Sequence, residues 1–120
     1  MAFEIRERYV NDVIILDVTG NLDVQTSALF KVRLESLVNF GHHKIVVNLV
    51  NVDFIDSTGV GSLMFGHKIV NPLIGGIRLI GLSPSNSNVF SVLNLTEVMS
   101  IMHSEEAAVG SFLQEGTTMH

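Results

Sequence analysis

The sequence predicts an α/β fold: a mixed sheet that starts as an N-terminal antiparallel hairpin and continues as strands alternating with helices, mainly on one face. Three observations carry this. Two segments that read as extended, the loosely alternating residues 3–8 and the β-branched run 13–18, stand at the N-terminus with Asn11-Asp12 between them. Residues 44–49 are apolar at nearly every position, the mark of a strand covered on both faces. Elsewhere apolar residues recur at helical spacing between boundaries marked by glycine and proline.

Taken in order, residues 3–8 pair across Asn11-Asp12 with residues 13–18. Gly20-Asn21-Leu22-Asp23 reads as a loop. A helix follows with Ala28, Leu29, Val32, Leu34, Leu37 and Val38 as its apolar positions and Asp23 or Thr26 as its cap. The 44–49 strand belongs in the middle of the sheet. A helix over about 58–70 stops at Asn71-Pro72, because the residue before proline is steered out of the helical region. Gly75-Gly76 then turns the chain into a strand over 77–82. After Ser83-Pro84 come a short helix over 86–93, a strand over 98–102 and a last helix over 104–113, whose first turn carries Glu105 and Glu106. The polar tail 115–120 is expected to fray. With 120 residues, 47% of them hydrophobic, and no repeat or linker, residues 1–120 are expected to form one domain with its core over about 3–113.

Composition narrows the function. The absence of cysteine excludes disulfides, thiolate metal sites and a cysteine nucleophile. Seven Lys and Arg against twelve Asp and Glu give a net charge of −5, and the basic residues are scattered, so nucleic acid is not an expected partner. There is no apolar run of ~18 residues and no signal-like N-terminus, which points to a cytoplasmic protein without membrane insertion. The five histidines, at 42, 43, 67, 103 and 120, form no ligating pattern, so no metal or other cofactor is expected. Gly-x-Ser-x-Gly, a convincing triad base, Gly-x-Gly-x-x-Gly and a Walker-type lysine are all missing, so the chain is read as a non-enzyme with no catalytic residue.

The segment that demands explanation is "FIDSTGVGSLM", residues 54–64. A helical projection puts Val60, Leu63, Met64, His67 and Val70 on the stripe facing the sheet. Phe65 and Ile69 form a second patch, and Ser57, Gly61 and Lys68 lie at the edge. Glycines 59, 61 and 66 each cost such a helix ~1 kcal/mol against alanine. That cost implies close approach of something: tight helix packing or an outside partner for Gly61 and Gly66, and a clearing beside the hydroxyls for Gly59. Asp56, Ser57 and Thr58 can each cap the helix, yet one cap suffices. The surplus points to a regulated hydroxyl. A phosphate on Ser57 is favoured by the helix N-terminus. It would add a charge of about −1.5 to −2 beside Asp56 and near Asp53, repelling an acidic partner surface or crowding a flat one.

These residues resemble the signature of the STAS-domain anti-sigma factor antagonists, in which a strand ends in Asp-Ser-[Ser/Thr]-Gly-[Leu/Val]-Gly before a helix. "VTGNLDVQTS" resembles the family's Gly-x-Leu-Asp turn before its first helix, "KIVVNLVNVDFID" its central strand and the approach to the serine, and "GGIRLIGLSPSNSNVFSVLNLTEVMSI" its closing strand, helix and strand. Phe65, Gly66 and the "SNSN" after Pro84 depart from the family pattern. The resemblance implies a STAS-like fold and a partner switch. The unphosphorylated domain would bind an anti-sigma factor that is also a serine kinase and so free a sigma factor; phosphorylation of Ser57 would end the binding, and a metal-dependent serine phosphatase would restore it. Thr58 takes the second hydroxyl position. The implied docking surface comprises Asp23, Asp56, Thr58, Gly59, Val60, Gly61 and Met64, on a chain expected to be monomeric. The alternative is a STAS adaptor in a stress-sensing assembly, a lipid-transport complex or a receptor signalling system.

Overall fold

Asn11 adopts φ 56, a left-handed conformation that asparagine tolerates and a tight hairpin needs. It joins β1 (Glu4–Val10) to β2 (Val13–Leu22), antiparallel in the register Val10↔Val13 to Glu4↔Thr19. The rest of the computed structural model, which describes residues 2–70 and 75–117, is built on this hairpin. After β2 come α1 (Ser27–Asn39), β3 (Lys44–Ile55), α2 (Ser57–Val70), β4 (Gly76–Ile80), α3 (Pro84–Val92), β5 (Ser100–Ile101) and α4 (Glu105–Thr117). The sheet order is β1-β2-β3-β4-β5, and every pair after the hairpin is parallel. The expected mixed sheet and central 44–49 strand are borne out, with Ile45, Val46, Val47 and Leu49 all buried.

The strand order explains where the helices lie. Three successive crossovers step in one direction along the sheet, and right-handed crossovers of that kind all fall on one face. Accordingly Phe30, Leu34 and Leu37 of α1, Val60, Leu63 and Val70 of α2, and Phe90 of α3 pack into one core with Ile14, Leu16, Val47 and Leu79. α4 closes the other face through Ala108, Val109 and Phe112 against Val13, Ile15, Val46 and Ile80. Arg78 of β4, buried on that side, donates to Ser111 Oγ at 2.7 Å and lies 4.1 Å from the Phe112 ring centroid.

Several local expectations are corrected. α1 buries Ser27, Phe30, Leu34 and Leu37 and leaves Leu29 and Val32 exposed, so its apolar face is rotated from the one expected. Neither expected cap acts as one: Thr26 sits at the cap position, but its hydroxyl donates to the Asn21 carbonyl at 2.8 Å and accepts from the Asp23 N–H at 3.0 Å. The stripe of α2 is rotated too. Gly59, Ser62 and Gly66 join Val60, Leu63 and Val70 in the interior, while Met64 and His67 are half-buried. α3 starts two residues early, at Pro84, because the Ser83 hydroxyl accepts from the Asn86 N–H. The closing strand shrinks to two residues, whereas α4 continues through residues 115–117 of the expected tail. The Asn71-Pro72 stop and residues 118–120 lie outside the described residues.

An ion-pair network ties α4 to the hairpin. The Arg8 guanidinium pairs with the Asp17 carboxylate through Nε and through Nη2 (2.9 Å), and also reaches Glu105 at 2.8 Å; Asn48 Nδ2 donates to Asp17 at 2.9 Å. Hydrogen bonding to Arg8 holds the Asp17 carboxyl below the usual carboxylate range, against the opposing effect of burial and with help from Asn48. A carboxyl depressed in the folded state contributes stability above its unfolded pKa, near ~4, and loses that contribution as pH falls through the folded value. The network is partly solvated, so Asp17→Asn is expected to lower unfolding free energy at pH 7 by about 1 kcal/mol. Urea titrations of both proteins from pH 7 to pH 3 should show that difference shrinking below pH ~4; a difference constant across this range would refute the assignment.

Candidate functional site

The site begins where β2 and β3 end together. Their parallel register runs Ile14↔Ile45 to Asp17↔Asn48, then shifts twice, between Asp17 and Thr19 and between Gly20 and Asn21, to finish at Leu22↔Ile55. β3 takes up an extra residue at each shift, a bulged arrangement that twists a strand end. The expected Gly20-Asn21-Leu22 loop is therefore strand, and β3 runs six residues past its expected end. As a result Asp23 and Asp56 leave the sheet from adjacent strands.

Asp56 is fixed by both loops. Its N–H donates to the Leu22 carbonyl at 3.3 Å, and its own carbonyl accepts from Val60 N–H at 3.0 Å. One carboxylate oxygen, Oδ1, accepts from Gly59 N–H at 2.8 Å, which makes Asp56 the cap of α2. The other, Oδ2, accepts from Val24 N–H at 3.2 Å in the β2–α1 loop. A residue expected on the docking surface thus uses its carboxylate inside the protein. Asp23 is half-buried, and its Oδ1 accepts from Gln25 N–H at 3.0 Å.

Ser57 and Thr58 occupy the first two positions of α2 and are exposed. Because Asp56 caps the helix, neither hydroxyl is needed for that purpose, and neither has a hydrogen-bond partner among the described residues.

The three glycines separate by cause. A Cβ on Gly59 would lie 2.0 Å from the Leu22 carbonyl oxygen, so this glycine lets α2 press against the end of β2. Its expected role as a clearing beside the hydroxyls is corrected. A Cβ on Gly66 would meet Leu34 and Ile77 side chains at 2.7 and 2.6 Å, so Gly66 belongs to helix packing. Gly61 is exposed, and a Cβ there would meet nothing within 4 Å. It stands one turn beyond Ser57, on the same outward face as Ser57. Val60, expected among the docking residues, is 1% exposed and belongs to the core, and Gly59 is also buried. Met64 is half-buried.

Two exposed apolar residues were missed. Val24 is 69% exposed and follows Asp23 directly, while Phe54 is 53% exposed. Alternation sends Phe54 to the face opposite the buried Ile55. Val24 gave no periodic signal, but Phe54 could have been found by treating residues 50–55 as strand. Asp23, Asp53 and Asp56 have no ion-pair partner among the described residues; the ion pairs found lie at Asp17, Glu105, Glu7 and Asp12. Asp23, Val24 and Asp56 thus stand together at the adjacent ends of β2 and β3, beside an exposed serine.

Known proteins share this arrangement of elements. The STAS domain family matches residues 4–108. An anti-sigma F factor antagonist of Paenibacillus polymyxa is 24% identical over 110 residues, covering 91% of this chain and 94% of that protein. An anti-sigma-B factor antagonist of Staphylococcus aureus is 30% identical over 89 residues, covering 74% and 82%. Among solved structures, the Bacillus cell fate determinant SpoIIAA in its phosphorylated form superposes with a TM-score of 0.68 at 22% identity, covering 92% of this chain and 98% of that one, a likeness of fold. With the STAS family matched over residues 4–108 and relatives named as anti-sigma factor antagonists covering most of the chain, this protein belongs to the STAS domain family, among the anti-sigma factor antagonists.

Proposed function

We propose that this protein is an anti-sigma factor antagonist that works by exchange of partners. Unphosphorylated, it binds an anti-sigma factor that is also a serine kinase and so frees a sigma factor. Phosphorylation of Ser57 ends that binding, and a metal-dependent serine phosphatase restores it. The chain acts as a monomer in the cytoplasm and performs no chemistry of its own. The observation that carries the reading is an exposed serine at a helix start whose cap is supplied by its neighbour, Asp56. Relatives named as anti-sigma factor antagonists support the choice of partner.

The physics of the switch follows from that cap. A phosphate on Ser57 would sit at the positive end of a 14-residue helix, a favourable place for an anion. The Asp56 cap need not break to admit it, so the modification is expected to leave the fold intact. Its effect falls on the partner instead. About −1.5 to −2 further charge is added beside the Asp56 carboxylate and the Asp23 strand end, on a surface that must be desolvated for docking. The proposed surface comprises Asp23, Ser57, Thr58, Gly61 and the exposed part of Met64, with Asp56 beneath and Val24 beside it.

The direct experiment incubates the purified protein with candidate anti-sigma kinases of its own organism and ATP, and maps any phosphate by mass spectrometry. Modification of Ser57 is expected; modification elsewhere, or none together with no complex in ADP, sinks the proposal. Ser57→Asp should weaken the complex at least tenfold by titration calorimetry, while Ser57→Ala should bind like the unmodified protein and resist being switched off.

Gly61→Ala provides an independent check. An exposed helix-interior glycine with open space around its Cα should gain ~1 kcal/mol on replacement by alanine. The new methyl projects into the docking surface, so the variant should melt at a higher temperature yet bind the kinase more weakly. A variant both more stable and equally tight would remove Gly61 from the interface.

A further inference from the structure

We infer that Asn86 is a positioning residue for Ser57, holding the serine in place from α3 through the end of β3; the functional part of this inference rests on the reading of Ser57 as the switch. β4 pairs with β3 only from Lys44↔Gly76 to Asn48↔Ile80. Beyond Asn48, β3 has β2 along one side and, among the described residues, no strand along the other, although Val52 and Ile55 are buried there at 4% and 0% exposure. Buried backbone groups left without partners would loosen this end.

Asn86 supplies those partners. Its Oδ1 accepts from the Ile55 N–H at 3.1 Å, and its Nδ2 donates to the Val52 carbonyl at 3.1 Å. One side-chain amide thus does what the peptide of a neighbouring strand would do. Asn86 is 2% exposed, and both bonds are buried. It is also held at its base: Asn86 N–H donates to Ser83 Oγ at 3.1 Å, and Phe90, one turn on, is fully buried.

Few other side chains could substitute. Leucine has the volume but no polar group, aspartate has the acceptor but no donor when ionised, and serine is too short to bridge two backbone groups. From Ile55 the chain reaches Ser57 through Asp56 alone, and both Asp56 carboxylate oxygens are engaged. The position of α3 is therefore transmitted to Ser57 through an almost unbroken set of fixed groups. Removing the Asn86 amide frees the strand end while leaving the Asp56 cap in place.

The test uses the full ¹⁵N-labelled chain and Asn86→Leu. Amide hydrogen exchange at Ile55 is expected to accelerate at least tenfold, with the Ser57, Thr58 and Gly59 resonances shifting, while Ile77 and Leu79 in β4 keep their protection. Exchange accelerated uniformly across the sheet, or unchanged at Ile55, overturns the positioning role. The wild-type chain gives a second reading that needs no variant: the Asn86 side-chain NH₂ protons should exchange slowly, and rapid exchange counts against the inference. For function, the ATP-dependent kinase that modifies wild-type Ser57 should act on Asn86→Leu with kcat/KM at least tenfold lower. A local loss of protection with unchanged phosphorylation overturns the functional half alone. If no kinase modifies wild-type Ser57, the proposed function fails while hydrogen exchange still decides what Asn86 does.

Discussion

The parallel pairing of β2 with β3 beyond the point where β4 stops is the constraint on which the site depends. It carries Leu22 alongside Ile55 and so delivers Asp23 and Asp56 to neighbouring strand ends. Without those last rungs, Asp56 could not accept from Val24 and from Gly59 together, and α2 would lose the anchor that fixes its first turn. The absence of a side chain at Gly59 is the counterpart of this pairing, because α2 starts against the carbonyl of Leu22 itself. Strand register, cap and glycine are three views of one close approach.

The site is consequently built on the rigid part of the molecule. Val60, the third residue after Ser57, is already in the core, together with Leu22 and Ile55. An exposed hydroxyl two residues from a fully buried strand end has little freedom to wander. On the proposed reading, binding and modification by a partner both benefit, since a preorganised surface has less conformational entropy to lose on docking. The cost is a strand end with no neighbouring strand on one side among the described residues, and α3 offsets it through its buried asparagine amide.

Much of this was legible in the sequence, and the misses share a cause. The β-branched run at 44–49, the Asn11-Asp12 turn and the Asp56-Ser57-Thr58 junction each signal their structure locally, and each was read correctly in kind. The extension of β3 was not legible because Asn51 and Asp53 interrupt the apolar run, and bulges destroy the two-residue period on which strand recognition relies. Gly59 and Gly61 look alike in sequence; what separates them is the carbonyl of Leu22, 37 residues away in the chain. Val60 fell on the inner stripe in projection, while family resemblance placed it on the docking surface. The projection was the better guide, because burial in the sheet-facing core follows from helical period and sheet position. Asn86 was invisible for a different reason: in "SNSN" it reads as one more polar residue of a helix start, and nothing local says that its amide faces inward.

The division of labour between Asp56 and Ser57 bears on how a charge can be added here at all. Had Ser57 been the cap, its hydroxyl oxygen would accept from the first turn of α2, and esterifying it would disturb the bond that starts the helix. Regulation would then be coupled to partial unfolding. With the cap assigned to Asp56, the serine oxygen is released from structural duty, and the helix dipole favours a phosphate on it. The same assignment limits what the phosphate can do within the domain: a group that breaks no internal bond has little leverage on the fold. On the proposed reading its influence has to be exerted across the interface, through charge and bulk that the partner meets. A serine next to a capping aspartate is therefore a better switch than a capping serine, because the structure that presents it survives the modification that turns it off.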